Sequence, residues 1–220
     1  MIRSREMRTV LIGLVPTALV VTALIIWVDQ PLAAYMAQHS ETPLVATFRI
    51  ITFLANGTIW YSLALFSIAF AWNKARHDES PGAQMQMRRV VRAWLFMIVS
   101  MAISGLLVNA LKIAIGRARP KLFLYENVVG LAPFARTLED CSFPSGHSQS
   151  IWAAMLALAW ILPYGRNAFI AVAVIVAASR VIIGTHYASD VVAGAYLAFA
   201  VGLLVRRWFI RTDVYLTSAA

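Results

Sequence analysis

The sequence predicts an all-α, polytopic membrane protein, a bundle of six transmembrane helices in a single domain covering residues 1–220. Its residues are 60% hydrophobic and only 13% charged, whereas a soluble domain is usually about 45–50% apolar. Uncharged stretches long enough to cross a bilayer recur along the chain, and apolar runs of about 18 or more residues are typical of transmembrane helices. No internal repeat or long linker divides these stretches into separate domains.

Six spans are predicted, separated by polar or turn-forming segments. They cover approximately residues 10–28, 58–72, 90–115, 144–162, 167–183 and 190–205. The first follows a basic leader and could instead be a cleaved signal peptide, because Ala33 and Ala34 come after it. Its hydrophobic region is longer than the roughly 7–15 residues usual in signal peptides, which favours a retained signal-anchor helix.

Three connecting segments have features of their own. Leu44 to Ala55 is predicted to form a short helix at the membrane interface, and Asn73 to Arg89 a polar, mobile loop. The loop from Arg117 to Phe143 is rich in aromatic residues. Such residues can read a lipid headgroup or anchor the chain at the interface, and the sequence does not choose between these roles.

The distribution of basic residues predicts the orientation. With six spans both termini lie on one side, and that side holds 12 Lys and Arg residues against 7 on the other. The positive-inside rule therefore places both termini in the cytoplasm. The net charge of +9 is then explained by topology and anionic lipid headgroups, not by nucleic-acid binding. One cysteine and four scattered histidines have no structural-zinc spacing, so we expect no such metal site.

Three clusters of charged and polar residues interrupt the hydrophobic sequence. They are Lys112-x6-Arg119-Pro120, Pro144-Ser145-Gly146-His147 and Ser179-Arg180-x5-His186-x3-Asp190. Ionisable residues are costly in a bilayer, so such clusters indicate a functional site. In the predicted topology all three lie on the face opposite the termini, where they can meet. Three cations together favour a compact, multiply charged anion such as phosphate.

In the first cluster, Lys112 and Arg119 are seven residues apart and would share one face of a continued helix, which Pro120 would then end. The simpler interpretation is that both cations extend to the headgroups from a helix end.

In the second cluster, Pro144 suits the first turn of a helix. The N–H groups of Ser145, Gly146 and His147 would then be free to bind an anion, aided by the helix dipole. An ordinary helix start, with Ser145 as its cap, is the alternative.

The third cluster is the most informative. Asp190 follows His186 by one helical turn, so its carboxylate can accept an imidazole N–H and leave the other nitrogen free as nucleophile or base. A metal site is disfavoured because Lys112, Arg119 and Arg180 would repel a divalent cation. A structural His–Asp pair is the other alternative, but it does not explain the cations.

These residues predict a division of labour in phosphoryl transfer. Lys112, Arg119, Arg180 and the helix amides would bind the phosphoryl oxygens. His186, oriented by Asp190, is the better nucleophile, which leaves His147 as general acid. Ser145 as nucleophile with His147 as its base ranks lower, since no carboxylate near His147 in the sequence would orient that base.

At these residues the chain resembles the type 2 phosphatidic acid phosphatase (PAP2) superfamily, matching each fixed position of its three-part pattern over roughly residues 90–205. The six-span layout is similar to the bacterial integral-membrane lipid phosphatases of that family. The resemblance implies a transient phosphohistidine at His186, orientation by Asp190, protonation of the leaving group by His147, and phosphate binding by Lys112, Arg119, Ser145, Gly146 and Arg180. It implies no metal or cofactor, and gives Arg117 at most a supporting role.

The resemblance further implies a lipid phosphate or diphosphate substrate, met in the inner membrane with the site facing outward. Undecaprenyl diphosphate, phosphatidylglycerophosphate, phosphatidate and lipid A 1-phosphate are the substrate classes of similar proteins. A lipid phosphotransferase is one alternative, which a radiolabelled phosphate would distinguish by appearing on an acceptor. A non-enzymatic lipid binder or flippase is another, although it would not need the His186–Asp190–His147 set.

Overall fold

The fold is almost entirely helical. The computed structural model describes residues 5–78, 80–134 and 140–211. Their helices are α1 Arg5–Trp27, α2 Asp29–Gln38, α3 Pro43–Ile51, α4 Gly57–His77, α5 Pro81–Ile115, α6 Pro120–Glu126, α7 Gly146–Ile161, α8 Arg166–Ile182 and α9 Ala188–Arg211. The short helix predicted from Leu44 to Ala55 is confirmed as α3 followed by a 3-10 turn, Thr52–Ala55.

Several helices are long and apolar enough to cross a membrane, which confirms a multi-pass membrane protein. Within the described ranges four helical stretches qualify: Arg5–Trp27, Pro81–Ile115, Pro163–Ile182 and Ala188–Ile210. A fifth is added if the bent pair Pro43–Ala55 and Gly57–His77 counts as one span. That is fewer than the six predicted, because α7 has only 16 residues and a span needs about 20.

Helix α7 occupies the centre of the bundle. It packs against α5, α8 and α9, and over half of its residues are buried, including Ile151, Ala154 and Ala157. Side chains such as Phe96, Met97 and Val176 complete this core from the neighbouring helices. Small residues let the backbones approach closely, which is how helices gain packing energy where lipid removes the hydrophobic driving force.

The connection between α4 and α5 differs from the prediction. The segment from Asn73 to Arg89 is largely helical, because α4 continues to His77 and α5 already begins at Pro81. Ser80 caps α5 by accepting a hydrogen bond from the N–H of Ala83 at 3.3 Å. Proline directly after a serine cap favours a helix start, so these residues begin a helix where a mobile loop was expected.

The end of α5 also differs from the prediction. Gly116, with φ +59°, ends the helix in the left-handed conformation, and its N–H donates to the Lys112 carbonyl at 2.8 Å. A Cβ here would lie 1.7 Å from the Ala132 carbonyl oxygen, so only glycine fits. Pro120 starts α6 instead of ending α5. Lys112 and Arg119 therefore do not share a helix face.

Two tight backbone contacts join α7 and α9. The Ser145 N–H donates to the Asp190 carbonyl at 3.0 Å. A Cβ built on Gly194 would lie 2.4 Å from the Ser145 carbonyl oxygen. Since Ser145 and Asp190 both belong to predicted site clusters, this close approach sets the relative position of the second and third clusters.

We expect Gly194→Ala to lower the free energy of unfolding by about 1–3 kcal/mol, because the added methyl must push α9 away from α7. The thermal midpoint of the detergent-solubilised protein measures this. Gly82→Ala is the matched control, since nothing lies within 4 Å of a Cβ at Gly82. Equal midpoints for the two variants would contradict the close α7–α9 contact.

Candidate active site

The three sequence clusters meet at one end of the bundle. The end of α5, the start of α7, the end of α8 and the start of α9 converge there, joined by hydrogen bonds between residues distant in the sequence. The turn before α4 reaches the same end through Thr52. The expectation that the clusters can meet on one face agrees with this arrangement.

His186 and Asp190 form a buried pair at the α8–α9 connection. The imidazole Nδ1 lies 3.4 Å from Asp190 Oδ2, and the exposed fractions of the two side chains are 2% and 0%. Nδ1 makes no hydrogen bond within the described residues, but it faces the carboxylate at ion-pair distance. Nε2 is then the nitrogen left to act on a substrate.

The Asp190 carboxylate is held from several directions. Oδ1 accepts from Arg117 Nη1 at 2.8 Å, and Oδ2 accepts from the Tyr187 N–H at 2.9 Å. The Ser142 hydroxyl also donates to Oδ2. Each donor stabilises the charged form of the carboxylate. Asp190 therefore presents a fixed negative charge to His186.

Burial controls the charge state of His186. Desolvation lowers the pKa of His186 to about 4, although Asp190 opposes this by favouring the imidazolium. The positive charges of Lys112 and Arg119 act in the same direction as burial. The imidazole is consequently neutral at pH 7 and has a lone pair available for attack.

Lys112 is buried under the segment that precedes α7. Its ammonium donates to the carbonyls of Cys141 at 2.6 Å and Ser142 at 3.2 Å. Only 6% of the residue is exposed, so these two carbonyls replace water as partners of the ammonium. Because an ammonium has three N–H donors, one remains for an anion.

Arg180 lies in the last turn of α8, where 7% of the residue is exposed. Its Nη1 donates to Thr52 Oγ1 at 2.7 Å, which fixes the guanidinium from the turn before α4. Its buried Nε has no hydrogen-bond partner in the part of the chain that the structure describes. A buried N–H without an acceptor is costly, and a bound anion would satisfy it.

The start of α7 supplies amide donors, but fewer than predicted. Ser145 caps the helix through its hydroxyl, and its N–H is already bound to the Asp190 carbonyl. The prediction that this N–H is free was wrong, because α9 packs against it. Among the described residues the N–H groups of Gly146 and His147 have no acceptor, so these two can bind an anion.

The charged groups of the three clusters lie close enough to act on one another electrostatically. Four positively charged or titratable side chains act on His147: Arg180, His186, Arg119 and Lys112. Neighbouring positive charges repel one another, and an anion bound between them would offset that repulsion. The arrangement is therefore suited to a multiply charged anion held between His147 and His186.

Sequence reasoning missed a second carboxylate, Asp29, at the start of α2. Asp29 Oδ2 accepts from Arg117 Nη2 at 2.9 Å, while Arg117 Nη1 binds Asp190. The guanidinium also lies over the Tyr187 ring, 4.2 Å from its centroid. The one signal in the sequence was an acidic residue at the end of an apolar span, which is costly unless paired.

A cavity of about 280 Å³ opens beside His147. Its walls come from the start of α4, from α5 and from α7, and several are uncharged polar side chains. These are Asn56, Tyr61, Asn109, Gln149 and Ser150. Such a surface can hydrogen-bond a neutral group attached to the phosphate.

The family follows from a match that covers more than half of the chain. The model of the PAP2 superfamily matches residues 93–213, which include all three clusters. The chain belongs to the PAP2 superfamily. Its PAP2 region runs from the middle of α5 to beyond the end of α9, and so contains His147, His186 and Asp190.

Two curated relatives are lipid A 1-phosphatases. The chain is 43% identical to that of Rhizobium johnstonii over 141 residues, which is 64% of this chain and 56% of the relative. It is 39% identical to that of Rhizobium etli over 134 residues, 60% of this chain and 57% of the relative. The chain thus matches little more than half the length of these relatives.

A solved structure has the same fold. A transmembrane PAP2 type phosphatidylglycerolphosphate phosphatase from Bacillus subtilis is similar with a TM-score of 0.62 and 22% sequence identity. The match covers 90% of this chain and 96% of the other. The PAP2 membrane fold therefore extends to the N-terminal helices, beyond the region that the family model matches.

We expect Arg180→Gln to weaken inorganic phosphate binding roughly 10-fold, the effect of losing one charge-assisted hydrogen bond. Competitive inhibition of turnover by phosphate, or line broadening in ³¹P NMR, measures this. Arg166→Gln is the matched control, because Arg166 is exposed at the other end of α8. Similar inhibition constants for both variants would exclude Arg180 from the anion site.

Proposed function

We propose that this protein is an integral-membrane lipid phosphatase that removes a phosphate from a lipid phosphate or diphosphate. The observation that carries the proposal is the buried His186–Asp190 pair, placed with His147 among three cations in a membrane-embedded bundle. A neutral, oriented imidazole provides a nucleophile, and the cations compensate the charge of the phosphoryl group. The names of the Rhizobium relatives support the same activity.

In the proposed reaction, His186 Nε2 attacks phosphorus and the bond between phosphorus and the lipid oxygen breaks. His147 donates a proton to that leaving oxygen. Water then attacks the phosphohistidine, and His147 takes the proton of the water as phosphate leaves. Lys112, Arg119, Arg180 and the amides at Gly146 and His147 bind the phosphoryl oxygens throughout, while Ser145 fixes the start of α7.

We propose that the chain crosses a bacterial inner membrane six times as one domain, with both termini in the cytoplasm and the site facing outward. Helix α7, surrounded by α5, α8 and α9, counts as the additional span because its neighbours shield it from lipid. The greater number of Lys and Arg residues on the terminal side supports the orientation. A lipid of the outer leaflet would then approach the site from the side that it faces.

We propose lipid A 1-phosphate, a glycosyl phosphate, as the first substrate to test. His147 protonates the leaving oxygen, so the cavity beside it receives the first group of the lipid after the phosphate. That cavity is lined by uncharged amides and hydroxyls, which suit the hydroxyls of a sugar. Asn109 on α5 is exposed in this cavity. Because an asparagine is costly where a helix faces lipid, its presence supports a polar binding role for the cavity.

We expect His186→Ala to reduce phosphate release by about 10³-fold or more, because the nucleophile is lost. Purified protein is tested in detergent against lipid mono- and diphosphates labelled with ³²P. An acid-labile, base-stable phosphoprotein should form in the parent and not in the variant.

The matched control is His77→Ala, an exposed histidine at the other end of α4, which should keep full activity. Substantial turnover by His186→Ala would refute the assignment of the nucleophile. Label found on a second lipid instead of free phosphate would show a phosphotransferase.

We expect Asn109→Leu to lower kcat/KM for lipid A 1-phosphate roughly 10-fold, as one hydrogen bond to the sugar is lost, and to leave phosphatidate hydrolysis unchanged. Leu106→Ala is the control, since Leu106 is exposed one turn away and lies outside the cavity walls. An equal decrease for both lipids would contradict a sugar-binding role for the cavity.

A further inference from the structure

Asp29 is buried at the start of α2 although it is far from the catalytic clusters in the sequence. Only 1% of the residue is exposed. Its Oδ1 accepts from the Ser189 N–H at 3.1 Å, in the first turn of α9. Its Oδ2 accepts from the Ser189 hydroxyl and from Arg117. A buried charge with this many partners is structurally fixed.

Arg117 is shared between two carboxylates. Nη2 lies 2.9 Å from Asp29 and Nη1 lies 2.8 Å from Asp190, with 13% of the Arg117 side chain exposed. Nη1 also donates to Ser189 Oγ at 2.7 Å, which in turn donates to Asp29. Asp29 therefore binds Arg117 both directly and through the Ser189 hydroxyl, and Arg117 connects it to Asp190.

We propose that Asp29 is a positioning residue for phosphoryl transfer, which acts through Arg117 to keep the negative charge of Asp190 available to His186. This inference rests on the proposed function. With one cation between two carboxylates, the group has a net charge of −1. Without Asp29, Arg117 would neutralise Asp190 alone, and His186 would face a neutral pair.

The charges around His186 show why this balance matters. Asp190 on α9 is the carboxylate beside the imidazole, and Asp29 on α2 acts from behind Arg117. On the other sides lie the cations and the second imidazole: Lys112 on α5, Arg119 before α6, Arg180 on α8 and His147 on α7. Because the positive charges of Lys112 and Arg119 oppose protonation of His186, the loss of one negative charge is not compensated nearby.

The position of both carboxylates at the start of α9 supports the same role. Asp29 binds the Ser189 N–H and Asp190 binds the Tyr187 N–H, and a helix N-terminus stabilises negative charge. The Tyr187 ring covers the Arg117 guanidinium. The N-terminal helices therefore contribute to the site a charge that the PAP2-matched region, residues 93–213, does not contain.

The test uses the full-length protein in detergent with ³²P-labelled lipid A 1-phosphate and phosphatidate. We expect Asp29→Asn to lower kcat roughly 10-fold with a smaller change in KM, because Asp29 acts on the nucleophile and does not bind the substrate. The acid limb of kcat/KM should move to lower pH, because the proton on His186 is bound less tightly once the nearby negative charge is removed. Phosphohistidine formation in a single turnover should slow by the same factor.

Three variants separate charge from structure. Asp29→Glu keeps the charge and should keep the acid limb of the parent with less than a 3-fold loss of kcat. Tyr196→Phe and Glu6→Gln instead remove two ties of the preceding helix α1 to α9, from Tyr196 to the Val10 carbonyl and from Glu6 to Arg207. Both lie away from the site and should leave the rate and the pH profile unchanged.

Several results would overturn the inference. One is an acid limb of Asp29→Asn that coincides with that of the parent. Another is an equal loss of kcat in Tyr196→Phe or Glu6→Gln, which would reveal only helix anchoring. If Asp29→Asn does not accumulate in membranes, a shifted acid limb in Asp29→Glu is the contradicting result. If the parent releases no phosphate from any lipid mono- or diphosphate, the proposed function itself is wrong.

Discussion

The site depends on keeping the Asp190 carboxylate charged inside a protein that is otherwise apolar. An isolated carboxylate would be neutralised there by protonation, yet Arg117, Ser142 and the Tyr187 N–H all donate to it. Even the backbone carbonyl of Asp190 is used, since it accepts the N–H of Ser145. One residue thereby joins α7, α9 and the segment after α5, and places His186 relative to the anion site.

Much of the fold and of the site could be predicted because the relevant signals are local. Apolar runs located the long helices, and the spacing of His186 and Asp190 by one turn gave the buried pair that the structure contains. The three clusters could be assigned to one face because each lies at the end of an apolar stretch. Local sequence also predicted the helix within residues 44–55, where Thr42 caps a start at Pro43.

The errors concern contacts that depend on tertiary structure. Asp29 and Arg117 are 88 residues apart, and no local pattern pairs them. The N–H of Ser145 looked free because the packing of α9 against it is not visible in the sequence. By contrast, the break between Lys112 and Arg119 had a local signal that was missed, since a left-handed glycine such as Gly116 commonly ends a helix.

The shortness of α7 sets the depth of the chemistry. At 1.5 Å per residue, its 16 residues extend about 24 Å, whereas the hydrocarbon layer is about 30 Å thick. If its far end lies level with the ends of its neighbours, its amide-bearing end is recessed below the surrounding headgroups. A phosphate must then descend several ångströms and shed water to be bound. We expect such a site to favour substrates whose own tails hold them at that depth over water-soluble esters.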